Sequence, residues 1–407
     1  MAGKNWRIAF VLILLPAGLF HPDGFAHSPR KNDDPPAEKR QRAEQIGLQV
    51  GLMRSGPLNA ITDVAGVSVG HKTLIQADSI RTGVTAILPH QGNIFQDKVP
   101  AAIFCFNAFG KLAGSTQVEE LGNIETPIIL TNTLSVGTAL AATVKFTLSQ
   151  EGNENVRSVN AVVGETNDGF LNDIRGQHVR EADVIDAIQT AGTGLPAEGS
   201  VGAGTGTSAF GYKGGIGTAS RITPRLAGKS YTVGVLVQSN FGWELTITGV
   251  PFTRESEQKK LEKSKYSEDG SCMIIIATDA PLSVENLKRL AKRSFTGMAR
   301  TRAFMSNGSG DYAIAFSTAY HIPYHTDSRA IDMPGLIAND DMNTLFRAVE
   351  EATQEAIYNS LLMATTITGY RGHTRSAVSL DEVVTLLKRY NMLYLRKRLN
   401  WSPYIYE

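Results

Sequence analysis

In KYSEDGSCMIIIATDAPL, residues 265–282, a charged segment changes abruptly into an apolar one. Residues 253–269 are mostly charged and polar, which predicts an exposed linker. The following CMIIIATDA is too short and too rich in β-branched residues to favour a helix, so we expect a buried strand there. Gly270 and Ser271 stand at the junction between the two segments.

Two interpretations of the Gly270-Ser271 pair stay open from these residues alone. Asp-Gly-Ser is a common turn tripeptide. Alternatively, the serine hydroxyl attacks the carbonyl of the glycine, which no side chain shields, and the linker lets the upstream end move away. Hydrolysis of the resulting ester would leave a chain that begins at Ser271. Its α-amine would titrate close to neutral pH and would be a usable general base.

Further strands and helices are predicted on both sides of this stretch. Apolar runs predict strands beginning at residues 101, 159, 231, 243 and 310, and helical spacing predicts helices over 284–304, 342–367 and 380–391. Strands in both halves, with long helices between and after them, indicate a layered α/β fold. We expect a single domain over 46–407, preceded by a polar, loosely held arm over 27–45.

The N-terminal segment has the pattern of a signal peptide. Two basic residues precede an apolar run over residues 8–20, and Gly24 and Ala26 give the small-x-small pattern of a cleavage site. The run is shorter than the roughly 20 residues that span a bilayer, although an uncleaved anchor stays an alternative. We therefore predict a signal peptide over 1–26 and a periplasmic or secreted mature chain. The net charge of +1 gives no bulk reason to expect nucleic acid or a membrane as a partner.

The segment over residues 195–221 contains eight glycines and predicts close approach of backbone to a ligand or to another backbone. Its N–H groups are suited to stabilise an oxyanion. It is not a phosphate-binding P-loop, because Lys213 is followed by Gly214, and its glycine spacing does not fit a dinucleotide fingerprint. No metal site is predicted, since a proline between His321 and His325 argues against a helical zinc pair.

Two polar clusters adjoin predicted strands. In VVGETNDGFLNDIRG, residues 162–176, Glu165 and Asp168 are placed either to receive a cationic group such as a substrate amine or to cap a turn. In FMSNGSGDYAIAF, residues 304–316, Ser309 and Asp311 either orient a nucleophile or close a turn.

The two cysteines, Cys105 and Cys272, lie inside apolar runs. We interpret both as core residues, although export would permit a disulfide between them.

Six motifs in order resemble the DmpA-type aminopeptidases, also called L-aminopeptidase/D-esterases, which include the β-peptidyl aminopeptidases. The resemblance extends from about residue 47 to about residue 387 and rests on GPLNAITDVAGVSVGH, GETNDGFLNDI, VGAGTGTSAFGYKGGIGTASR, VLVQSNFG, DGSCMIIIATDAPL and SNGSGDYAIAFST. It implies a four-layer αββα sandwich similar to the N-terminal-nucleophile hydrolases, with its own topology. It also implies self-cleavage at 270/271 into chains 27–270 and 271–407, a tetramer of processed chains, and no metal or organic cofactor.

The resemblance further implies roles for individual residues, carried over by motif. Ser271 would be the nucleophile with its own α-amine as base, and Asn240 in QSNFG would donate to the oxyanion. Ser309 and Asp311 would orient the nucleophile and assist proton transfer.

Substrate recognition is also implied by the same resemblance. Glu165 is expected to pair with the free amino group of the substrate, with Asp168 as second choice, and Phe170 stands where some relatives are expected to carry a tyrosine.

The sequence thus predicts an exported, self-processing serine aminopeptidase that releases N-terminal residues from short peptides, amides or esters through an acyl-enzyme on Ser271. Two alternatives stay open at this point. One is an acyltransferase of the ornithine acetyltransferase type, whose nucleophile is a threonine. The other is an unprocessed, non-catalytic periplasmic binding protein.

Overall fold

The computed structural model describes residues 39–226, 228–242, 244–252, 270–325 and 330–399. The predicted signal peptide and the predicted linker over 253–269 lie outside the described residues. Within the described part, no helix is both long and apolar enough to cross a membrane. The described residues from Arg40 onward belong to one compact unit.

The described residues form short and long strands that are numbered in chain order: β1 (Ser68–Gln76), β2 (Ile80–Leu88), β3 (Asp97–Ala108), β4 (Leu112–Ala113), β5 (Asn123–Ile124), β6 (Ile128–Asn132), β7 (Val162–Thr166), β8 (Ser208–Ala209), β9 (Tyr212–Lys213), β10 (Gly215–Ile222), β11 (Thr232–Asn240), β12 (Leu245–Ile247), β13 (Val250–Phe252), β14 (Gly270–Thr278), β15 (Ser309–Ser317), β16 (Ile322–Pro323), β17 (Ile367–Thr368) and β18 (Thr374–Arg375). The helices are α1 (Ser115–Leu121), α2 (Val136–Leu148), α3 (Glu181–Gln189), α4 (Val284–Ala299), α5 (Met342–Leu362), α6 (Leu380–Arg389) and α7 (Leu395–Arg398).

Two mixed sheets organise these elements. The larger sheet has the order β10-β11-β14-β15-β3-β16, with β5 beside β3, and the smaller has the order β1-β2-β6-β7-β4. In the larger sheet β14 is antiparallel to β11 and parallel to β15. In the smaller sheet β6 and β7 are parallel. The carboxyl end of β11 therefore lies beside the amino ends of β14 and β15.

The position of β14 between two cores explains why its sequence is apolar throughout and does not alternate with polar residues. On one face, Ile274 and Ile276 pack in a core with Leu287 of α4 and Ile357 of α5. On the other face, Ile275 and its neighbours on the same side pack against strands of the smaller sheet. Because both faces are buried, the period-two pattern of a half-buried strand is absent.

Helices α2 and α3 cover the outer face of the smaller sheet, where Val163 of β7 packs with Ala139 and Val184. The layers therefore follow the order helix, sheet, sheet, helix. This arrangement confirms the predicted four-layer αββα sandwich.

Three predicted elements differ from the structure, and one of them is the helix predicted over 342–367, which ends at Leu362. The run beginning at residue 243 is not one strand but the hairpin β12–β13, because Thr248 and Gly249 at its centre adopt left-handed φ angles of 50° and 85°. The helix predicted over 284–304 ends at Ala299, and Arg302 beyond it has a φ of 77°. Each strand of the hairpin keeps an alternating pattern, which is why the turn between them was missed.

The last residues of the arm predicted over 27–45 are packed against the folded domain instead of being loosely held. Arg42 is buried, and its Nε lies 2.6 Å from Glu198 Oε2. The backbone N–H of Ala43 donates to Asn359 Oδ1 at 2.9 Å. Charged residues near 40 predicted a solvated segment, but their partners come from distant parts of the chain. Residues 27–38 lie outside the described residues.

Candidate active site

A cavity of about 600 Å³ opens where the end of β7 in the smaller sheet meets the ends of β11 and β14 in the larger one. Its wall includes both polar and aromatic side chains, among them Glu165, Phe170, Asn240, Ser271, Lys111 and Arg375. Four of the predicted site residues, Glu165, Asn240, Gly270 and Ser271, therefore share one cavity.

Ser271 is the second residue of β14, and it is buried. Its hydroxyl donates a hydrogen bond of 2.6 Å to the carbonyl oxygen of Gly270. The main chain is tight at this glycine, because a Cβ there would lie 3.0 Å from the Cα of Phe241. The serine hydroxyl thus already contacts the carbonyl group that it would attack in self-cleavage.

Asn240 is the last residue of β11 and pairs directly with Ser271 across the two strands. Its Oδ1 accepts from the backbone N–H of Ser208 at 2.9 Å, and its Nδ2 donates to the carbonyl of Asn167 at 3.0 Å. These two contacts fix the amide orientation, and an amide NH₂ has two donors, so one contact does not use both. The arrangement is suited to present an N–H group beside Ser271.

Ser309 and Asp311 lie on β15, in register with Gly270 and Cys272 respectively. Neighbouring residues along a strand point to opposite faces, so these two side chains lie on the face away from the Ser271 hydroxyl. Consistent with this, neither residue belongs to the cavity wall, whereas Ser309 borders a small pocket beside Gly270. The structure therefore brings them next to the Gly270-Ser271 peptide bond but not to the serine side chain.

Asp311 is buried, and burial raises the pKa of its carboxyl to about 6. The nearby Ser309 hydroxyl and the Cys272 backbone N–H lower the pKa by a smaller amount. Among the described residues neither carboxylate oxygen has a partner in aligned hydrogen-bond geometry, and the same holds for the Ser309 hydroxyl. Such a carboxyl group is suited to exchange a proton near neutral pH.

Glu165 lies near the end of β7 and is buried at the cavity wall. Its Oε1 accepts from the backbone N–H of Lys111 at 3.1 Å, and its Oε2 accepts from the Thr133 hydroxyl. The Lys111 ammonium lies 3.7 Å from Oε1. A buried, oriented carboxylate in a cavity is suited to bind an ammonium group.

Asp168, the second choice for that role, does not line the cavity. It is buried and accepts from Asn172 Nδ2 at 3.0 Å, and burial raises its pKa to about 7. The buried Lys213 lies close enough to lower that pKa, and it donates to the carbonyls of Gly204 and Gly214 at 2.7 and 2.8 Å. Asp168 and Lys213 therefore support the glycine-rich segment rather than the cavity.

Among the described residues, one group has the spacing of metal ligands: His90, Asp97 and His321. His321 pairs with the Asp97 carboxylate and stacks on His90 at 4.9 Å between ring centroids. Both nitrogens of His90 are engaged, one accepting from the Gly92 N–H at 3.1 Å and the other donating to the Asp97 carbonyl at 2.7 Å. The group is thus held by hydrogen bonds, and none of its members lines the cavity.

Both cysteines are free thiols. Cys272 is buried as predicted, but Cys105 is exposed, so its interpretation as a core residue is wrong. The apolar pattern of β3 continues past Ile103, where its side chains leave the core, and Phe106 is likewise exposed.

Sequence reasoning missed Lys111 and Arg375 as residues of the cavity wall. Lys111 follows the end of a predicted strand by two residues, so its position near a site was a usable signal. Arg375 comes from the short strand β18, about 100 residues beyond Ser271 in sequence, where no local pattern distinguishes it.

Comparison with known proteins shows what the whole chain is similar to. The model of peptidase family S58 matches residues 59–375. The chain is 41% identical over 382 residues to the β-peptidyl aminopeptidase BapA of Sphingosinicella microcystinivorans, covering 88% of this chain and 94% of that protein.

Solved structures are similar over nearly the same extent. A β-aminopeptidase from Burkholderia sp. superposes with a TM-score of 0.78 at 37% identity, covering 86% of this chain and 99% of the other. The L-aminopeptidase D-Ala-esterase/amidase of Ochrobactrum anthropi, described as a new variant of the Ntn hydrolase fold, superposes with a TM-score of 0.79 at 35% identity and the same coverage. These similarities are to peptidases, and they favour neither the acyltransferase nor the non-catalytic alternative.

Proposed function

This chain belongs to peptidase family S58 as a serine-type aminopeptidase, and from that premise we propose that it cleaves itself between Gly270 and Ser271 and then acts through an acyl-enzyme on Ser271. The observation that carries the proposal is the hydrogen bond of 2.6 Å from the Ser271 hydroxyl to the Gly270 carbonyl, at the wall of a cavity. Nucleophile, scissile carbonyl and substrate space are thus adjacent.

Self-cleavage is an acyl shift followed by hydrolysis. The Ser271 oxygen bonds to the carbonyl carbon of Gly270 and loses its proton, while the peptide C–N bond breaks and the nitrogen of Ser271 takes up a proton. Water then hydrolyses the ester, which leaves a carboxylate on Gly270 and restores the Ser271 hydroxyl beside a free α-amine. Asn240, which pairs with Ser271 across the strands, would stabilise the oxyanion in this step.

The processed enzyme repeats this chemistry on an added substrate. The α-amine of Ser271 accepts the hydroxyl proton, the oxygen attacks the substrate carbonyl, and the proton passes to the departing amine. Water then hydrolyses the acyl-enzyme. Asn240 donates to the oxyanion, an interaction commonly worth about 3 kcal/mol, and Glu165 holds the substrate ammonium.

Departure of Gly270 would also explain how Ser309 and Asp311 act. Gly270 occupies the strand position paired with Ser309, so its release exposes the new α-amine to the β15 side chains. In the uncut chain the pKa of Asp311 is about 6, so its carboxyl is mostly ionised at neutral pH. In the processed chain it would stabilise the ammonium that forms when the α-amine accepts the hydroxyl proton.

The proposed substrates are short peptides, amides or esters with a free N-terminus. β-Aminoacyl compounds belong to this set, because the two BapA relatives at 41% and 38% identity are β-peptidyl aminopeptidases. We also propose an exported tetramer of processed chains, on the basis of the signal-peptide pattern over residues 1–26 and of the family resemblance.

The test uses the full-length chain. Purified protein should give two bands, and N-terminal sequencing of the smaller should read Ser-Cys-Met. It should release p-nitroaniline from L-alanyl, D-alanyl or β-alanyl p-nitroanilides. The Ser271→Ala variant should stay one chain and be inactive, whereas Ser149→Ala, at an exposed serine that is not part of the cavity wall, should behave as wild type. Normal cleavage of Ser271→Ala, or an intact wild-type chain without activity, would refute the proposal.

A further inference from the structure

The cavity wall carries positive charge at two places. One is Lys111, whose ammonium lies 3.7 Å from Glu165, the carboxylate assigned to the substrate amine. The other is Arg375, which lines the same cavity as Ser271. The anionic Glu165 is assigned to the amine of the substrate. The guanidinium of Arg375 has no part in either self-cleavage or turnover as proposed.

The Arg375 side chain is held in place rather than extended into solvent. Its guanidinium carbon lies 3.8 Å from the ring centroid of Phe170, and its Nε donates to the Ser208 hydroxyl at 3.2 Å. Phe170 is itself stacked on His373, with 4.6 Å between ring centroids. The guanidinium group is planar, and its N–H donors point outward within that plane. Stacking on an aromatic ring fixes the plane, so the donors are oriented in advance for a carboxylate.

Glu165 and Arg375 are linked by contacts to the strands on opposite sides of β14, which carries Ser271. On the β15 side, Gly310 pairs with Ser271, and a Cβ built on Gly110 would lie 3.5 Å from Gly310 and 3.2 Å from Glu165 Oε1. That contact chain places the amine-binding carboxylate on this side of the nucleophile.

The other side is reached through β11. Asn240 pairs with Ser271 and accepts from the Ser208 backbone, and the Ser208 hydroxyl accepts from Arg375. The order across the cavity is therefore anionic group, nucleophile, cationic group. A dipeptide has the matching order of ammonium, scissile carbonyl and carboxylate.

We propose that Arg375 binds a carboxylate on the leaving group, so that the enzyme prefers dipeptides with a free C-terminal carboxylate over their amides. This inference rests on the proposed function and specifies its substrate class. An acidic side chain on the second residue offers the same chemistry, and the test separates the two sources.

The experiment measures kcat/KM of the processed enzyme for three substrates: alanyl-alanine, alanyl-alanine amide and alanyl-aspartic acid amide. Wild type should prefer the free acid to its amide by about tenfold or more. Arg375→Gln should reduce this ratio to near one, chiefly through a higher KM for the free acid. If wild type also prefers alanyl-aspartic acid amide to alanyl-alanine amide, Arg375 accepts a carboxylate from the side chain as well as from the C-terminus.

The ratio also separates binding from a structural effect. If loss of the Ser208 contact merely displaced Asn240, both substrates would slow equally and the ratio would not change. Arg371→Gln is the matched control, because it removes the same charge from an exposed side chain that does not line the cavity. Arg375→Lys, which keeps the charge without the fork, should give an intermediate ratio and serves if Arg375→Gln is not obtained folded.

Equal acid-to-amide ratios in wild type, Arg375→Gln and Arg375→Lys would overturn the inference while leaving the proposed function standing. If the wild-type enzyme hydrolyses none of the three substrates, and no aminoacyl p-nitroanilide either, the proposed function and this inference fail together.

Discussion

The buried carboxyl of Asp311 makes folding stability depend on pH. Burial raises its pKa from 3.8 to about 6. The folded chain therefore holds this proton more tightly than the unfolded chain does. Folding stability from this group is fully present below about pH 4 and is lost as the pH rises through about 6. At neutral pH the ionised carboxylate costs on the order of 3 kcal/mol.

The Asp311→Asn substitution should relieve that cost. Measured in the uncut Ser271→Ala background, the free energy of unfolding in urea should rise by about 1–3 kcal/mol at pH 7.5. The gain should shrink towards pH 4, where the wild-type carboxyl is protonated in the folded state. Asp311→Asn alone should lose aminopeptidase turnover. A variant that is no more stable than its parent at pH 7.5, with an unchanged pH dependence, would show that the buried carboxylate carries no such cost.

The sequence predicted which residues line the cavity better at the ends of strands than in loops. Glu165, Asn240 and Ser271 each stand at the end of a predicted strand, and all three line the cavity. Asp168 follows β7 by two residues, where the chain has left the sheet and the period of two no longer sets its direction. Arg375 was out of reach, because its place depends on contacts with Phe170 and Ser208 more than 160 residues away.

At the scale of elements, the packing of α5 on β10 depends on Gly217. A Cβ at this position would lie 2.0 Å from the Ala356 carbonyl oxygen and 2.5 Å from the Ser360 nitrogen. Helix and strand backbones thus approach more closely than a side chain allows. The helix also reaches the site, because the Ser360 hydroxyl is 2.7 Å from that of Ser239, the residue before Asn240.

Gly217→Ala should therefore push α5 away from the sheet. We expect a loss of about 1–3 kcal/mol in unfolding free energy, seen as a lower Tm, together with lower kcat. The control is Gly194→Ala, since an added Cβ there meets nothing within 4 Å and its φ is not left-handed. Equal Tm shifts in the two variants would contradict the close-packing argument.

The sequence predicted most long elements but not their pairing. Strands β3, β11, β14 and β15 lie where apolar runs indicated them. Pairing of β15 with β3 joins segments about 200 residues apart, and no local pattern encodes such contacts. The hairpin β12–β13 is a local feature, but it was also missed. Its turn of two residues interrupts an otherwise continuous alternation of apolar and polar residues.

At the scale of the whole molecule, cleavage at 270/271 would divide the larger sheet into interleaved chains. The spatial order of the larger sheet is β10-β11-β14-β15-β3-β16, with β5 beside β3. Strands β10, β11, β3 and β5 precede the cut, β15 and β16 follow it, and β14 follows it except for its first residue, Gly270. All five strands of the smaller sheet precede the cut. Met273 and Ile275 of the second chain pack against Ile128 and Leu130 of the first, so both chains contribute to the core between the sheets.

The first chain contains every strand of the smaller sheet, but neither processed chain can form the larger sheet or the core between the sheets alone. The two chains should therefore behave as one folding unit. They should elute together under native conditions and separate only in denaturant. In pulse proteolysis across a urea gradient, both bands should disappear at the same urea concentration, because losing either chain exposes the apolar face of the other. The uncut Ser271→Ala chain is the control and should show one transition. Survival of one chain at urea concentrations that remove the other would mean that the interleaved sheet does not couple them.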